Sequence, residues 1–379
     1  MRIVHVVGRS HRRGAERAAL ELAHELDGLG HENTVFALHP AFDGSTDPEL
    51  PTVTDRTRMG ALGLVSAVRA VRKAFGHRPR HDVVVAHGGW AMQVLALARR
   101  RAWPPIVWQR ILDLPDGLWG TPRATWWRLV ARRADAAVVL TPANVTEMQR
   151  LGFDGPVWPI PNSRRPDRFV SVDRDDARAR LVAELGVRPE QRLVGLVGHL
   201  IEQKRPERAV DVLAHVRDEG EDAVLVVAGD GPLRDEVRER SRERCVEEHV
   251  RMLGERADVE QVLGGIDVLV LTSDSEGVPG VVIEAQMTGC PVVTFPLGAV
   301  GEVVVHDRTG IVLDGPDVDA MSRAVVELLR DRPRLARFSS AAREHALRFT
   351  TARTAPVYAA RFEDLRREVT ERRRATAGR

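Results

Sequence analysis

The chain has 379 residues, 29% of them charged, and its 56 basic and 54 acidic side chains nearly cancel to a formal net charge of +2. That length provides for two domains or one large one, and no general affinity for nucleic acid follows from the balance of charge. The cysteines, Cys245 and Cys290, are far apart and lack metal-ligand spacing, which suits a reduced cytoplasm.

Residues 3–7 predict a buried first strand, followed by a polar, Arg-rich loop from Gly8 to Gly14; the apolar run is too short for a secretory signal. A helix over 15–29, with Ala19, Leu22, Ala23, Leu26 and Leu29 on one face, ends at Gly30, and a second strand over 34–38 completes a βαβ unit. Gly8 and Gly14 do not make G-x-G-x-x-G, so a phosphate site here is weakly signalled and a nicotinamide dehydrogenase is the weakest contender. Residues 65–75 form an amphipathic basic helix with Arg69, Arg72 and Lys73. A solvated face accounts for it; contact with a membrane surface is the sharper reading. A strand over 83–86 ends at His87, Gly88 and Gly89, which puts His87 at the carboxyl edge of the sheet, either touching substrate or hydrogen-bonded within a loop. The strand over 106–111 leads to Asp113 and a loop containing Trp119. Trp126 and Trp127 among Arg128, Arg132 and Arg133 read as a partly buried helix with snorkelling arginines, or as the frame of an acceptor pocket. Strands over 136–140 and 157–161 close this half, and the proline-rich stretch 159–169 predicts a domain boundary.

The second half is more regular. Strands over 193–197, 223–227 and 250–253 alternate with helices, which specifies a parallel sheet covered on both faces. The first loop carries Gly198, His199 and Lys204, one of only two lysines in the chain; the second carries Gly229, Asp230, Gly231 and Pro232. A short helix is expected over 258–263. The buried run 268–271 then meets a polar corner ending in Glu276, followed by Gly277, Val278, Pro279 and Gly280, a helix over 281–288 and a strand over 291–295. Glu276 thus falls at the carboxyl end of a strand, where open α/β sheets bind ligands. The N–H groups of Val278, Gly280 and Val281 favour anionic oxygen. Glu284 lies in the helix, at most about 12 Å further on at the usual rise per residue, so two carboxylates could grip two ends of one elongated polar ligand. The plain alternative is a pair of solvated acids. Residues 354–374 read as a charged helix.

This stretch resembles a known signature. Ser275, Glu276, Gly277 and Pro279, with Glu284 and Ala285 behind them, match the SEG-x-P…E-A pattern of the retaining nucleotide-sugar glycosyltransferases of group 1 and GT-B fold, the family of sucrose synthases and bacterial mannosyltransferases. The 159–169 stretch is similar to the family's I-P-N-G…D-x-x-F linker with Ser163 for the usual Gly, and Gly301, Glu302 and Gly310 resemble its G-x-x-E…G. The resemblance implies an α/β architecture of two Rossmann-like domains facing across a cleft. Residues 1–162 would bind acceptor, 163–350 the donor, and a helix in 351–379 would cross back to the first domain. It implies transfer of a hexosyl group with retention from a nucleoside diphosphate sugar, UDP favoured over GDP, to a small-molecule, saccharide or lipid-linked acceptor. No cofactor, metal or dedicated base is implied, because a leaving phosphate oxygen accepts the acceptor proton.

The implied roles follow residue by residue. Lys204 offsets charge on the leaving diphosphate, with His199 standing where the family's G-R-L-x-x-x-K has Arg. Glu276 faces the sugar, Gly277, Val278, Pro279, Gly280 and Val281 hold sugar and phosphate oxygens, and Glu284 takes the ribose hydroxyls. Met252, Leu253 and Gly254 border the base beside Val259; Gly198 and Gly229 lie in donor loops, and Gly14 in the glycine loop of the first domain. His87 and Asp113 are acceptor-side candidates, although the family's usual His near Asp113 is missing from Gln109, Arg110, Ile111 and Leu112. The same architecture also serves nucleotide-sugar 2-epimerases and hydrolases, and a non-catalytic sugar-nucleotide binding protein would keep Glu284.

Overall fold

A computed structural model describes residues 1–11, 14–42, 46–77, 80–110 and 118–377. The chain divides into two compact units, Met1–Ser163 with Thr351–Arg379, and Arg164–Thr350.

The first unit is built on β1 (Arg2–Ser10), β2 (Glu32–Pro40), β3 (Val83–His87), β4 (Ile106–Gln109), β5 (Ala136–Val139) and β6 (Val157–Pro159). They pair in parallel in the order β2-β1-β3-β4-β5-β6. Strands buried on both faces must be apolar throughout, and runs such as Val83 to Ala86 and Ala136 to Val139 are. Val4, Val6, Val84 and Ala86 point to one face, where the helices Ala61–Phe75, Gly88–Ala98 and Pro122–Ala131 cover them. Ile3, Val83, Val85 and Val107 point to the other. There the helix Gly14–Gly28 supplies Leu22 and Leu26, and the last helix, Thr351–Ala377, supplies Ala355, Tyr358, Phe362 and Leu365.

Two local expectations are corrected. The first strand does not stop before Gly8: its ladder to β2 runs on to Ser10 against Pro40, and Arg9, buried, donates from Nη1 to the Pro40 carbonyl at 3.1 Å. Gly88 and Gly89 open a helix rather than a loop, and the absence of a Cβ at Gly89 leaves room for the Trp127 ring, which would come within 2.7 Å of one.

The second unit holds β7 (Arg192–Val197), β8 (Ala223–Ala228), β9 (Val250–Gly254), β10 (Val268–Leu271), β11 (Val292–Thr294) and β12 (Gly310–Val312). All pairs are parallel, in the order β12-β11-β10-β7-β8-β9. The chain winds outward from β7 through β9, returns to the centre, and winds outward the other way from β10. The strand order reverses between β7 and β10, and a crevice at the carboxyl ends of such a pair is the usual ligand site of a doubly wound sheet. Among the described residues no helix is long and apolar enough to cross a membrane.

Candidate active site

The loops after β7 and β10 leave the second unit's sheet side by side, and hydrogen bonds lace them together. Asp274 N–H donates to Gln203 O at 2.9 Å, Gln203 Nε2 to Ser275 O at 2.8 Å, and Thr272 Oγ1 to Lys204 O at 2.9 Å. Arg208 Nη1 adds the Thr272 carbonyl at 3.0 Å and Asp274 Oδ1 at 2.6 Å. Held in this way, Lys204 Nζ donates to Glu276 Oε1, and the same oxygen accepts from Ser273 Oγ at 2.8 Å. The Lys204 side chain is 27% exposed and that of Glu276 8%, so the cation is the more open of the two to an arriving anion.

Directly behind Glu276 the helix Gly280–Thr288 begins, with Pro279 at its N-cap. A helix leaves its first N–H groups without a partner one turn back, and its dipole adds partial positive charge there; Val282 N–H already donates to Pro279 O at 3.1 Å. The loop after β11 braces this corner. Ala299 N–H donates to Gly277 O at 3.1 Å, and Gly298, at φ +46°, passes so near that a Cβ would stand 2.1 Å from Glu276 O. Glu284 faces inward from the helix, buried, and Arg164 Nε donates to its Oε1 at 2.9 Å. Neither Gly298 nor Arg164 is marked in the sequence: Arg164 sits in a proline-rich boundary among other arginines, and Gly298 in an ordinary loop.

The loops after β7 and β8 touch backbone to backbone. A Cβ at Gly229 would lie 1.8 Å from Gly198 O, and both glycines have φ near +150°, at +147° and +148°. Gly229 N–H donates to Gly254 O at 2.7 Å, so Gly198, Gly229 and Gly254 line up along the carboxyl ends of β7, β8 and β9, with Met252 within β9. His199 Nδ1 donates to Asp230 O at 2.5 Å. The Asp230 carboxyl is held below the usual range, first by Gly231 N–H and then by the Arg234 guanidinium. Val259 begins the helix Val259–Gly265, one residue later than expected. The second unit therefore gathers Gly198, His199, Lys204, Gly229, Gly254, Glu276 and the start of the Gly280 helix along one edge of its sheet.

The remaining candidates belong to the first unit. Gly14 opens the helix Gly14–Gly28. His87 is not presented to solvent: it ends β3, is buried, and its Nε2 donates to His5 Nδ1 at 2.9 Å, while His5 Nε2 donates to Asn33 Oδ1 at 3.1 Å. Because Asn33 Oδ1 can only accept, Nδ1 of His5 is left to accept from His87. Burial pushes His5 down to about 4 and His87 well below its ordinary value, so both rings are neutral. The β3 carboxyl end thus turns His87 inward, onto the neighbouring β1 strand. Asp113 lies outside the described residues.

Residues 177–345 match the glycosyl transferases group 1 family, and residues 13–163 the glycosyl transferase 4-like domain. The GDP-mannose-dependent alpha-(1-6)-phosphatidylinositol monomannoside mannosyltransferase of Mycobacterium tuberculosis is 31% identical over 194 residues, 49% of this chain and 50% of that protein. The chain thus spans about half the length of that curated relative. D-inositol 3-phosphate glycosyltransferase 2 of Catenulispora acidiphila is 29% identical across 92% of this chain and 90% of its own. Among solved structures, Anabaena HepE in complex with UDP and glucose superposes with a TM-score of 0.79 at 21% identity, covering 96% of this chain and 100% of that one. Sucrose-phosphate synthase from Thermosynechococcus elongatus does so with 0.80 at 19%, covering 96% and 99%. With two parallel-sheet units, a glycosyltransferase family match in each and a whole-chain likeness of fold, the chain has the GT-B fold and residues 177–345 form a domain of the glycosyl transferases group 1 family.

Proposed function

We propose that the protein is a retaining glycosyltransferase that moves a hexosyl group from a nucleoside diphosphate sugar to a small-molecule, saccharide or lipid-linked acceptor. The observation that carries this reading is the Lys204–Glu276 pair at the switch between β7 and β10, directly in front of the Gly280 helix. An arriving diphosphate competes with Glu276 for Lys204, and its oxygens gain the N–H groups at the helix start. Glu276, relieved of its cation, is left to accept from sugar hydroxyls. The leaving diphosphate then has a fixed point charge beside it as the glycosidic bond breaks, the form of help that lowers a transfer barrier most. His199, whose Nδ1 is committed to Asp230 O, is oriented from the neighbouring loop. Relatives support both donor bases: GDP-mannose is named for the mycobacterial enzyme and UDP for the Anabaena structure.

The reading requires no divalent metal, because Lys204 and the helix start take the charge a metal would otherwise offset; turnover unchanged in excess chelator is the expected result. The deciding experiment is a thermal-shift screen of UDP- and GDP-sugars against wild type and Lys204→Ala. One donor class is expected to raise the wild-type midpoint, since binding only the folded state stabilises by mass action, and the variant should lose most of that shift. A Lys204→Ala protein with intact turnover would overturn the assignment. We also propose peripheral membrane contact through the helix Ala61–Phe75, which exposes Leu62 and Val65 beside Arg69 and Lys73. Co-sedimentation with anionic but not zwitterionic vesicles tests it. The unpaired cysteines suit a cytoplasmic site of action.

A further inference from the structure

Arg164 is the first residue of the second unit, and its backbone is fixed there: its N–H donates to Phe349 O at 2.9 Å, and it bridges Thr350 in parallel. Its side chain is 2% exposed and runs to Glu284, itself 6% exposed, with Nε 2.9 Å from Oε1. A buried guanidinium is tolerated only with a charged partner of good geometry, so the two residues determine each other's orientation. Gly280 lies one helical turn before Glu284, and a Cβ there would stand 1.7 Å from Arg164 Nη2 and 2.4 Å from Cζ. The guanidinium therefore occupies the volume that any side chain at 280 would need. This is a second reason for glycine at that position, besides close approach of the helix start to an anion.

We propose that Arg164 is a positioning residue, holding the Glu284 carboxylate in the one orientation that accepts hydrogen bonds from the ribose hydroxyls of the donor nucleotide. The proposal rests on the donor-site reading above. A glutamate on a helix has several rotamers; clamped at one oxygen by a planar, always-charged fork it keeps one. A carboxylate has about four acceptor sites, so engagement by Arg164 is compatible with accepting from a sugar diol as well. An ion pair that merely stabilised the fold would leave nucleotide selectivity untouched.

The test uses that difference. Binding of UDP and GDP and of their 2′-deoxy counterparts is measured by calorimetry for wild type, Arg164→Lys, Arg164→Gln and Gly280→Ala. Wild type should prefer the ribonucleotide of its own base by about tenfold or more, as for loss of a hydrogen bond to a charged group. Arg164→Gln and Gly280→Ala, which removes the space for the guanidinium, should bring that ratio close to one, and Arg164→Lys should leave it in between. Partial unfolding lowers both affinities together and does not move the ratio; if Arg164→Gln fails to fold, Gly280→Ala and Arg164→Lys still report. A wild type that discriminates, with variants that discriminate equally, overturns the role of Arg164 and leaves the donor site standing. A wild type that binds both forms alike, or neither, removes Glu284 from the ribose and overturns the proposal together with that part of the donor-site reading.

Discussion

Lys204 is one of two lysines in a chain whose other 54 basic Lys or Arg residues are arginines, and it is the residue that meets Glu276. A compact ammonium on a flexible stem can leave one anion for another, whereas a guanidinium fork tends to stay with the carboxylate it matches. Lys204→Ala is accordingly expected to lower kcat by on the order of a hundredfold, the scale set by removing one preorganised donor from a transition-state oxyanion. Lys204→Arg should not restore it; single-turnover rates with saturating donor check both. Lys204 and Glu276 were legible because each follows an apolar strand at a polar corner, a local pattern. Arg164 was not, because its meaning lies in a partner 120 positions away and in a missing Cβ at Gly280. For His87 the sequence left two readings open, for a related reason. Its position at a strand end was readable, but only β1 beside β3 shows that His5 draws the ring inward.

At the level of elements, the strands were legible from their Val, Ile, Leu and Ala runs, and the errors fell where a partner rather than a propensity sets the boundary. The first strand extends to Ser10 because β2 is there to pair with it as far as Pro40. Gly88 and Gly89 marked the end of a strand and carried no helix signal, glycine costing a helix about 1 kcal/mol relative to alanine, yet the Trp127 ring packs where a side chain at 89 would be. The contact between the β7 and β8 loops makes the strongest demand. At Gly229 a Cβ would meet the Gly198 carbonyl at 1.8 Å, and φ is +148°, so strain and collision act together. Gly229→Ala should destabilise the second unit by about 3 kcal/mol or more. Gly315→Ala, where a Cβ meets nothing within 4 Å, should stay within about 0.5 kcal/mol. Urea midpoints with unchanged m-values would separate the two cases, and equal midpoints would remove the steric account of the glycine loop.

Over the whole molecule, the ionisable groups whose folded environment moves them differ in kind between the two units. His5, His31, His39, His81 and His87, all in the first unit, are pushed down chiefly by burial, as is His249 in the second unit. Asp222, Asp230 and Asp258, whose hydrogen bonds hold them below the ordinary carboxyl value of 3.8, belong to the second unit. In an unfolded chain the histidines take up protons near 6.5, whereas folded His5 does so only near 4 and folded His87 well below the ordinary value. Between those values the unfolded state binds more protons. The stability these rings contribute is therefore complete above about pH 6.5 and is lost as pH falls toward 4, with a limiting slope of about 1.4 kcal/mol per pH unit for each ring. The carboxylates run to a lower window: their contribution is present above the unfolded value of 3.8 and goes only as pH falls below it. Acidification should accordingly loosen the first unit before the second. Every tryptophan lies between Trp90 and Trp158, in the first unit, so tryptophan fluorescence follows that unit while far-ultraviolet circular dichroism follows both. Between pH 8 and pH 5 the thermal midpoint seen by fluorescence should fall further than the later part of the dichroism transition. His87→Gln, whose amide can still donate to His5 but cannot titrate, should reduce the difference. Fluorescence and dichroism midpoints that fall together, by the same amount in wild type and variant, would show that the buried histidine pair does not govern the acid response.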